Sequence, residues 1–368
     1  MPDTYPFSFE HEATLEELAG IGKNRRFDEA IDDDENEEIR VLCKRGDEEI
    51  PLARPSRAFY FGDHKVYEQE AKRFDQQLKA SILSKDQFPD NPNVFDELKR
   101  SCERGFVIPF VGAGMSKSAG LPGWKEYLLS LCEKAGLNRE GIQERLENQG
   151  DYEGAMNDIV ERLTINRFER DFERGFQIPD AINGAVALLP KLFDRCAITT
   201  NFDRVLERVY ENEAKSFTEK VTGRGCTSAF FRAIPAGERY LLKLHGNIDN
   251  AAERVLNRVE YNEAYGMEGD VNMASPLPKL FKRLFISYSF LFLGCSLSAD
   301  RTIQTFMRVA QDEGGDTLPH HYALLACPAD AEKKRTIDQR LADAHITPLW
   351  YPDREYDYVE QILQLLLD

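Results

Sequence analysis

FVIPFVGAGMSKSAGLPGW, residues 106–124, is the stretch that decides the fold. Phe106–Val111 is apolar nearly throughout, as a strand buried on both faces must be. It ends at Gly112, Ala113 and Gly114, where the backbone can turn sharply and approach a ligand closely, which only glycine does without steric cost. A helical pattern follows from about residue 123, with Trp124, Leu128 and Leu131 on one apolar face, so that Trp124 reads as core. A strand that turns through glycines into a helix is where a nucleotide pyrophosphate would sit. The turn is not the dinucleotide fingerprint G-x-G-x-x-G, because Lys117 occupies the third glycine position. Nor is it a P-loop, because no GK[ST] follows at the required spacing. Taken alone, it is equally a structural strand-to-helix corner; Ser116, able to donate to a phosphate, favours the ligand reading.

Outward from this stretch, strand and helix patterns alternate. Strands are expected at 196–199, 240–244, 290–294, 321–326 and 345–350, with helices at 202–211, 277–287, 300–312, 330–343 and 354–367. This alternation predicts an α/β domain with a Rossmann-like parallel sheet covered by helices on both faces. A largely helical stretch at about 139–193 interrupts the rhythm and is expected to cap the crevice beyond the strand ends. Ligands in such folds bind past the carboxyl ends of strands, where Gly112, Asn201, His245 and Gly294 all fall. The terminal helix repeats Val359, Ile362, Leu363, Leu366 and Leu367 at helical spacing and should pack on the sheet.

Residues 1–90 differ in character and are expected to form an acidic and helical arm for oligomerisation or partner contact, with the catalytic domain at 91–368. The run Asp32–Glu38 reads as a solvated linker. A helix around 66–83 carries Phe74, Leu78 and Ile82 as one stripe, and Asp86–Asn93 has the Pro and Asn content of a connector.

Two further segments supply chemistry: ITTNFDRVLERVYE at 198–211 and LLKLHGNID at 241–249. With GAGMS, GLPGW and FLGCSLSAD they occur in the order found in the sirtuin-like NAD-binding superfamily, which the chain resembles over roughly residues 105–312. The resemblance implies a catalytic Asn201, Asp203 and His245. It also implies NAD+ held by Gly112, Ala113, Gly114, Met115, Ser116, Leu121, Pro122, Thr200, Gly294 and Ser296. These residue types suit cleavage of the nicotinamide–ribose bond, whose transition state is oxocarbenium-like and whose leaving group already carries positive charge, so positioning matters more than strong acid catalysis. An asparagine amide can hold water or ribose hydroxyls without bearing charge, a carboxylate can stabilise developing positive charge, and an imidazole can accept a proton. Helix capping is the alternative for Asn201 and for Asp300, while Arg301 could touch a cofactor phosphate or ribose.

The departures from the superfamily are informative. Protein-deacylating sirtuins carry a zinc module of two cysteine pairs, and none is present; the seven cysteines at 43, 102, 132, 196, 226, 295 and 327 read as reduced thiols. No metal is expected, and His320 and His321 begin a strand without nearby ligand-type residues. The helical cap and acidic arm instead resemble the sirtuin-like effectors of bacterial antiphage defence. Those hydrolyse NAD+ to ADP-ribose and nicotinamide, and the family includes members partnered with a HerA-like ATPase. The resemblance thus implies an NAD+ glycohydrolase acting as a homo-oligomer. A deacylase or ADP-ribosyltransferase, and a noncatalytic NAD- or ADP-ribose-binding subunit, are the alternatives. The net charge of −17 disfavours a general nucleic-acid surface and, with the absence of a clustered carboxylate motif, a nuclease. No apolar run is long enough to span a membrane and the first residues do not resemble a secretory signal, so a cytoplasmic location is expected.

Overall fold

In a computed structural model of the chain, the described residues are 24–33, 41–45, 48–50, 52, 54–84, 86–148, 150–222, 237–267, 269–298 and 300–367. Most of the Asp32–Glu38 run, and Cys226, lie outside them. The chain divides into two compact units, Met1–Leu83 and Ser84–Asp368.

In the first unit the helices Arg25–Asp32, Pro55–Gly62 and His64–Ile82 accompany a short antiparallel hairpin, β1 (Cys43–Arg45) and β2 (Glu48–Ile50). Phe27, Ile31, Tyr60, Tyr67 and Ala71 form its core. The Tyr67 hydroxyl accepts from the Asn24 backbone amide at 2.9 Å and donates to Asp28 at 2.7 Å, which fixes the first helix, while the Asn24 side chain caps that helix by accepting from Phe27 N.

The second unit is built on seven parallel strands: β3 (Val107–Val111), β4 (Cys196–Thr199), β5 (Glu219–Thr222), β6 (Tyr240–Lys243), β9 (Ser289–Leu293), β10 (His321–Ala326) and β11 (Ile346–Tyr351). A separate two-residue hairpin comprises β7 (Gly266–Met267) and β8 (Asp270–Val271). The large sheet runs β11-β10-β9-β3-β4-β6-β5 and is parallel at every pairing. This is the Rossmann-like α/β sheet expected from the alternation. β5 is an addition: EKVT is four residues long with two charges, too weak a pattern to stand out, and it pairs only at the sheet edge.

β3 sits centrally because all five of its residues are buried. From it the chain crosses to β4 on one side and later returns to β9 on the other, so the order reverses at β3/β9, the switch point where such folds bind ligands. Leu293, Val111, Thr199 and Lys243 are successive register partners, so the carboxyl ends of β9, β3, β4 and β6 stand level. At the usual strand spacing the row is about 14 Å wide.

Phe110, Phe281, Phe285, Phe290, Phe292 and Phe306 pack as one aromatic cluster beneath the sheet, with His321 stacked on Phe285 at 3.6 Å and accepting from the Phe290 amide at 3.1 Å. His321 is thereby a packed core residue. Asn91 extends β11 in side-chain form, since its amide donates to Trp350 O and its carbonyl accepts from Trp350 N. The terminal helix Asp357–Leu367 buries Val359, Ile362, Leu363, Leu365 and Leu366, while Leu367 is exposed. A second apolar cluster joins helices Trp124–Ala135, Arg139–Asn148, Tyr152–Arg162 and Ile165–Gly175 with Phe202 and Leu256 from the loops after β4 and β6. This helical layer packs on the segments after β4 and β6 through Phe202 and Leu256, and Trp124 packs within it at 5.5 Å from Phe202. No described helix is long and apolar enough to cross a membrane.

Candidate functional site

The four level strand ends carry two kinds of contact. At β3/β9 the contact is backbone against backbone. The Gly112 amide donates to Leu293 O at 2.8 Å and the Gly114 amide to Gly294 O at 2.9 Å. A Cβ on Gly112 would stand 2.5 Å from Gly294 O, and one on Gly114 2.8 Å from Gly294 Cα. Gly294 has φ +64° and its Cβ would meet Met115 N at 2.4 Å. The glycines are therefore required for the interlocking of two turns, in addition to any ligand approach. Met115 and Leu121 are buried behind the turn, whereas Gly114 and Ser296 stand exposed at its rim.

At β4 the contacts are between side chains. Thr199 Oγ1 donates to Val111 O at 2.7 Å and accepts from the Asn201 amide at 2.9 Å, which bends the chain after β4. Asn201 Nδ2 donates to Ser116 Oγ at 3.1 Å, and Ser116 Oγ donates to Asp203 Oδ2 at 2.9 Å. Ser116 thus bridges the asparagine and the aspartate here, a role different from the phosphate donor expected of it. Asp203 Oδ1 accepts from the Val205 amide at 2.9 Å in an Asx-type turn that leads into the Val205–Asn212 helix, whose N-cap is Arg204; Asn201 does not cap it. Burial pushes the Asp203 carboxyl above the usual range, against the nearby Lys243 charge and the two donors that favour ionisation.

His245 lies two residues past β6 and belongs to a second network. Its Nε2 is 2.7 Å from the Tyr265 hydroxyl and its Nδ1 3.3 Å from that of Tyr261. Tyr261 and Tyr265, one turn apart on the Arg258–Tyr265 helix, present both hydroxyls to one imidazole, and Tyr265 reaches on to Thr302 at 3.3 Å. Burial lowers the imidazole to about pKa 3, so it is neutral at physiological pH. Gly246, at φ +86°, turns the chain so that Val255 N donates back to His245 O at 3.0 Å. Asn201, Asp203 and His245 are 8%, 6% and 7% exposed.

The β4 and β6 ends are tied together by the Ile248 amide donating to Phe202 O at 3.0 Å and by Lys243, whose ammonium reaches Phe202 O, Asp203 O and Glu207. Two buried arginines bind the loops to the helical layer. Arg254 pairs with Glu169 at 2.8 Å and lies over the Phe172 ring, and Arg301 pairs with Glu153 and Asn262. Asp300 caps the Arg301–Glu313 helix. Tyr261, Tyr265, Lys243, Arg254 and Glu169 escaped the sequence reading. Only Lys243, a charge inside the apolar YLLKL, carried a signal.

Among the described residues no group of three or more His, Cys, Asp or Glu could hold a metal ion. A concavity of about 600 Å³ is lined by Asp270, Gln304, Arg308 and Asp343 among others, and one of about 200 Å³ borders Lys243 and Glu207.

Residues 195–349, which include the segments after β4, β6 and β9 but not the glycine turn, match the SIR2-like domain family. Over those residues the chain is similar to SIR2-like domains. Its homologues include "NAD(+) hydrolase ThsA" of Bacillus cereus (strain MSX-D12), 27% identical over 256 residues, or 67% of this chain and 48% of the relative. The "NAD(+) hydrolase ThsA" of Enterococcus faecium is 23% identical over 55% of this chain and 41% of the relative. "Defense-associated sirtuin 2" of Bacillus subtilis is 22% identical over 81% of this chain and 29% of its own length. The chain spans less than half the length of these curated relatives.

Proposed function

We propose that the protein is an NAD+ hydrolase that releases nicotinamide and ADP-ribose, and that it serves antiphage defence by depleting NAD+. The observation that carries this reading is the level row of strand ends, which brings the Ser116–Asn201–Asp203 network and His245 onto adjacent strands of a SIR2-like domain. The names of the homologous ThsA proteins support the substrate. NAD+ would lie with its pyrophosphate at the Gly112–Ser116 turn and its adenosine side at Gly294 and Ser296, with Leu121, Pro122 and Thr200 completing the wall. Its nicotinamide ribose would face Asn201.

Departure of neutral nicotinamide leaves an oxocarbenium-like ribose, towards which the carboxylate form of Asp203, favoured by Lys243, would contribute negative charge. Asn201 holds the ribose hydroxyls or the incoming water through its uncharged amide. His245 is neutral because it is buried, and with a tyrosine hydroxyl on each ring nitrogen it would take the proton that water loses, as the water oxygen bonds to C1 of the ribose, through one of those hydroxyls, which gives its own proton to the imidazole as it accepts the water's; the proton then leaves to solvent. The tyrosine hydroxyls on both ring nitrogens would orient the imidazole. The balance is one NAD+ and one water consumed, with one nicotinamide, one ADP-ribose and one proton released. On the resemblance alone, the proposal extends to a cytoplasmic homo-oligomer acting with a HerA-like ATPase.

Purified protein incubated with NAD+, with and without such an ATPase, should release nicotinamide and free ADP-ribose in equal amounts without an acyl or protein acceptor. Transfer of ADP-ribose to protein would favour the transferase instead, and stoichiometric binding without turnover would favour a regulatory subunit.

A further inference from the structure

We propose that Lys243 and Glu207 form a buried positioning pair for the Asn201–Asp203 segment, so that the working site includes a cation on β6 and a carboxylate in the first turn of the helix after β4. The inference rests on the NAD+ hydrolase reading above.

Lys243 is 1% exposed in a strand whose neighbours Leu241, Leu242 and Leu244 are fully buried. An ammonium is costly to bury unless its donors are satisfied, and an apolar side chain of similar volume would serve the packing as well or better. Lys243 spends its donors on the backbone carbonyls of Phe202 (3.3 Å) and Asp203 and on Glu207 Oε1 (3.2 Å). Two of its three partners are thus the peptide groups that bracket Asp203, in the segment that follows the neighbouring strand β4. Glu207 is 8% exposed, and its second oxygen has no hydrogen-bond partner, which a pair built for stability alone would avoid.

The charged groups facing Asp203 are Lys243 from β6 and Glu207 from its own helix, while Ser116 from the β3 turn and the Val205 amide are neutral donors. Lys243 favours the Asp203 carboxylate and Glu207 opposes it, so removing each must move the Asp203 titration in opposite directions. A fold defect common to both variants would not do that.

The test follows nicotinamide release from NAD+ between pH 4 and 9 for the full chain, Lys243→Met, Glu207→Gln and the double variant, in which no unpaired charge is left to unfold the protein. The acid limb should move to higher pH in Lys243→Met and to lower pH in Glu207→Gln. The double variant should keep kcat about tenfold or more below wild type with KM within about twofold, because the anchor on the Asp203 carbonyl is gone. Wild-type kcat in the double variant, or limbs that move together, would overturn the proposal by showing that the two residues only neutralise one another. If the wild type turns over no NAD+, the hydrolase reading fails, and the pair is tested without turnover. Thermal unfolding across pH, with and without Asp203→Asn, reports the Asp203 titration in the wild-type, Lys243→Met and Glu207→Gln backgrounds. Opposite shifts would support the pair and unchanged titration would overturn it.

Discussion

The β3/β9 end of the crevice and the β4/β6 end do their work by opposite means. At β3/β9, Gly112, Gly114 and Gly294 act by what they lack: three missing Cβ atoms let two turns interlock through their backbones. At β4/β6, Ser116, Asn201, Asp203, Lys243 and His245 act by what they carry, and each is at most 8% exposed. One end is a matter of space and the other of buried polar satisfaction. Substitutions at the first should therefore cost fold, and those at the second should separate fold from turnover.

The largest expected loss of stability sharpens the exception within that contrast. Lys243→Met leaves Glu207 buried without its cation and should cost about 3–5 kcal/mol in chemical denaturation, as breaking a buried pair does. Adding Glu207→Gln should recover most of it. Gly294→Ala should cost about 2–4 kcal/mol, through a disfavoured left-handed conformation and overlap with Met115, read as a lowered midpoint at unchanged m. A neutral Gly294→Ala would break the contrast, because it would mean the turns have room to part.

Smaller effects come from titration. His245 is held near pKa 3 against an ordinary value of 6.5, so its neutral form stabilises the fold above about pH 6.5 and that contribution is lost as pH falls towards 3. The pH dependence of unfolding should flatten over that window in His245→Gln. Asp203 has the opposite sign: its raised carboxyl contributes stability below the ordinary carboxylate range that is lost as pH rises through its folded value. Asp203→Asn should therefore be more stable than wild type at neutral pH, an advantage that fades below about pH 4, where the wild-type carboxyl is protonated in both states.

The same contrast explains what was legible in the sequence. Six strands of the large sheet were readable because buried parallel strands are apolar throughout, as in FVIPFV and the FLFL of β9. β5 was not, since an edge strand such as EKVT needs little apolar character. The glycines announced a tight turn but not its partner, because which backbone approaches Gly112 depends on β9 arriving beside β3 from 182 residues away. Asn201, Asp203 and His245 were conspicuous as polar residues ending apolar strands. Their supports were hidden: Tyr261 and Tyr265 read as ordinary helical aromatics, and only folding places them on the two nitrogens of one histidine.

The residues after β4 and β6 are proposed to hydrolyse NAD+. Nicotinamide release by wild type, Asn201→Ala and His245→Ala, each checked for a folded state by thermal unfolding, tests it most directly. The account predicts wild-type turnover that falls about 10²–10⁴-fold in each variant while the fold survives. Turnover that persists in both variants, or NAD+ bound by wild type and never cleaved with or without a HerA-like ATPase, would contradict it.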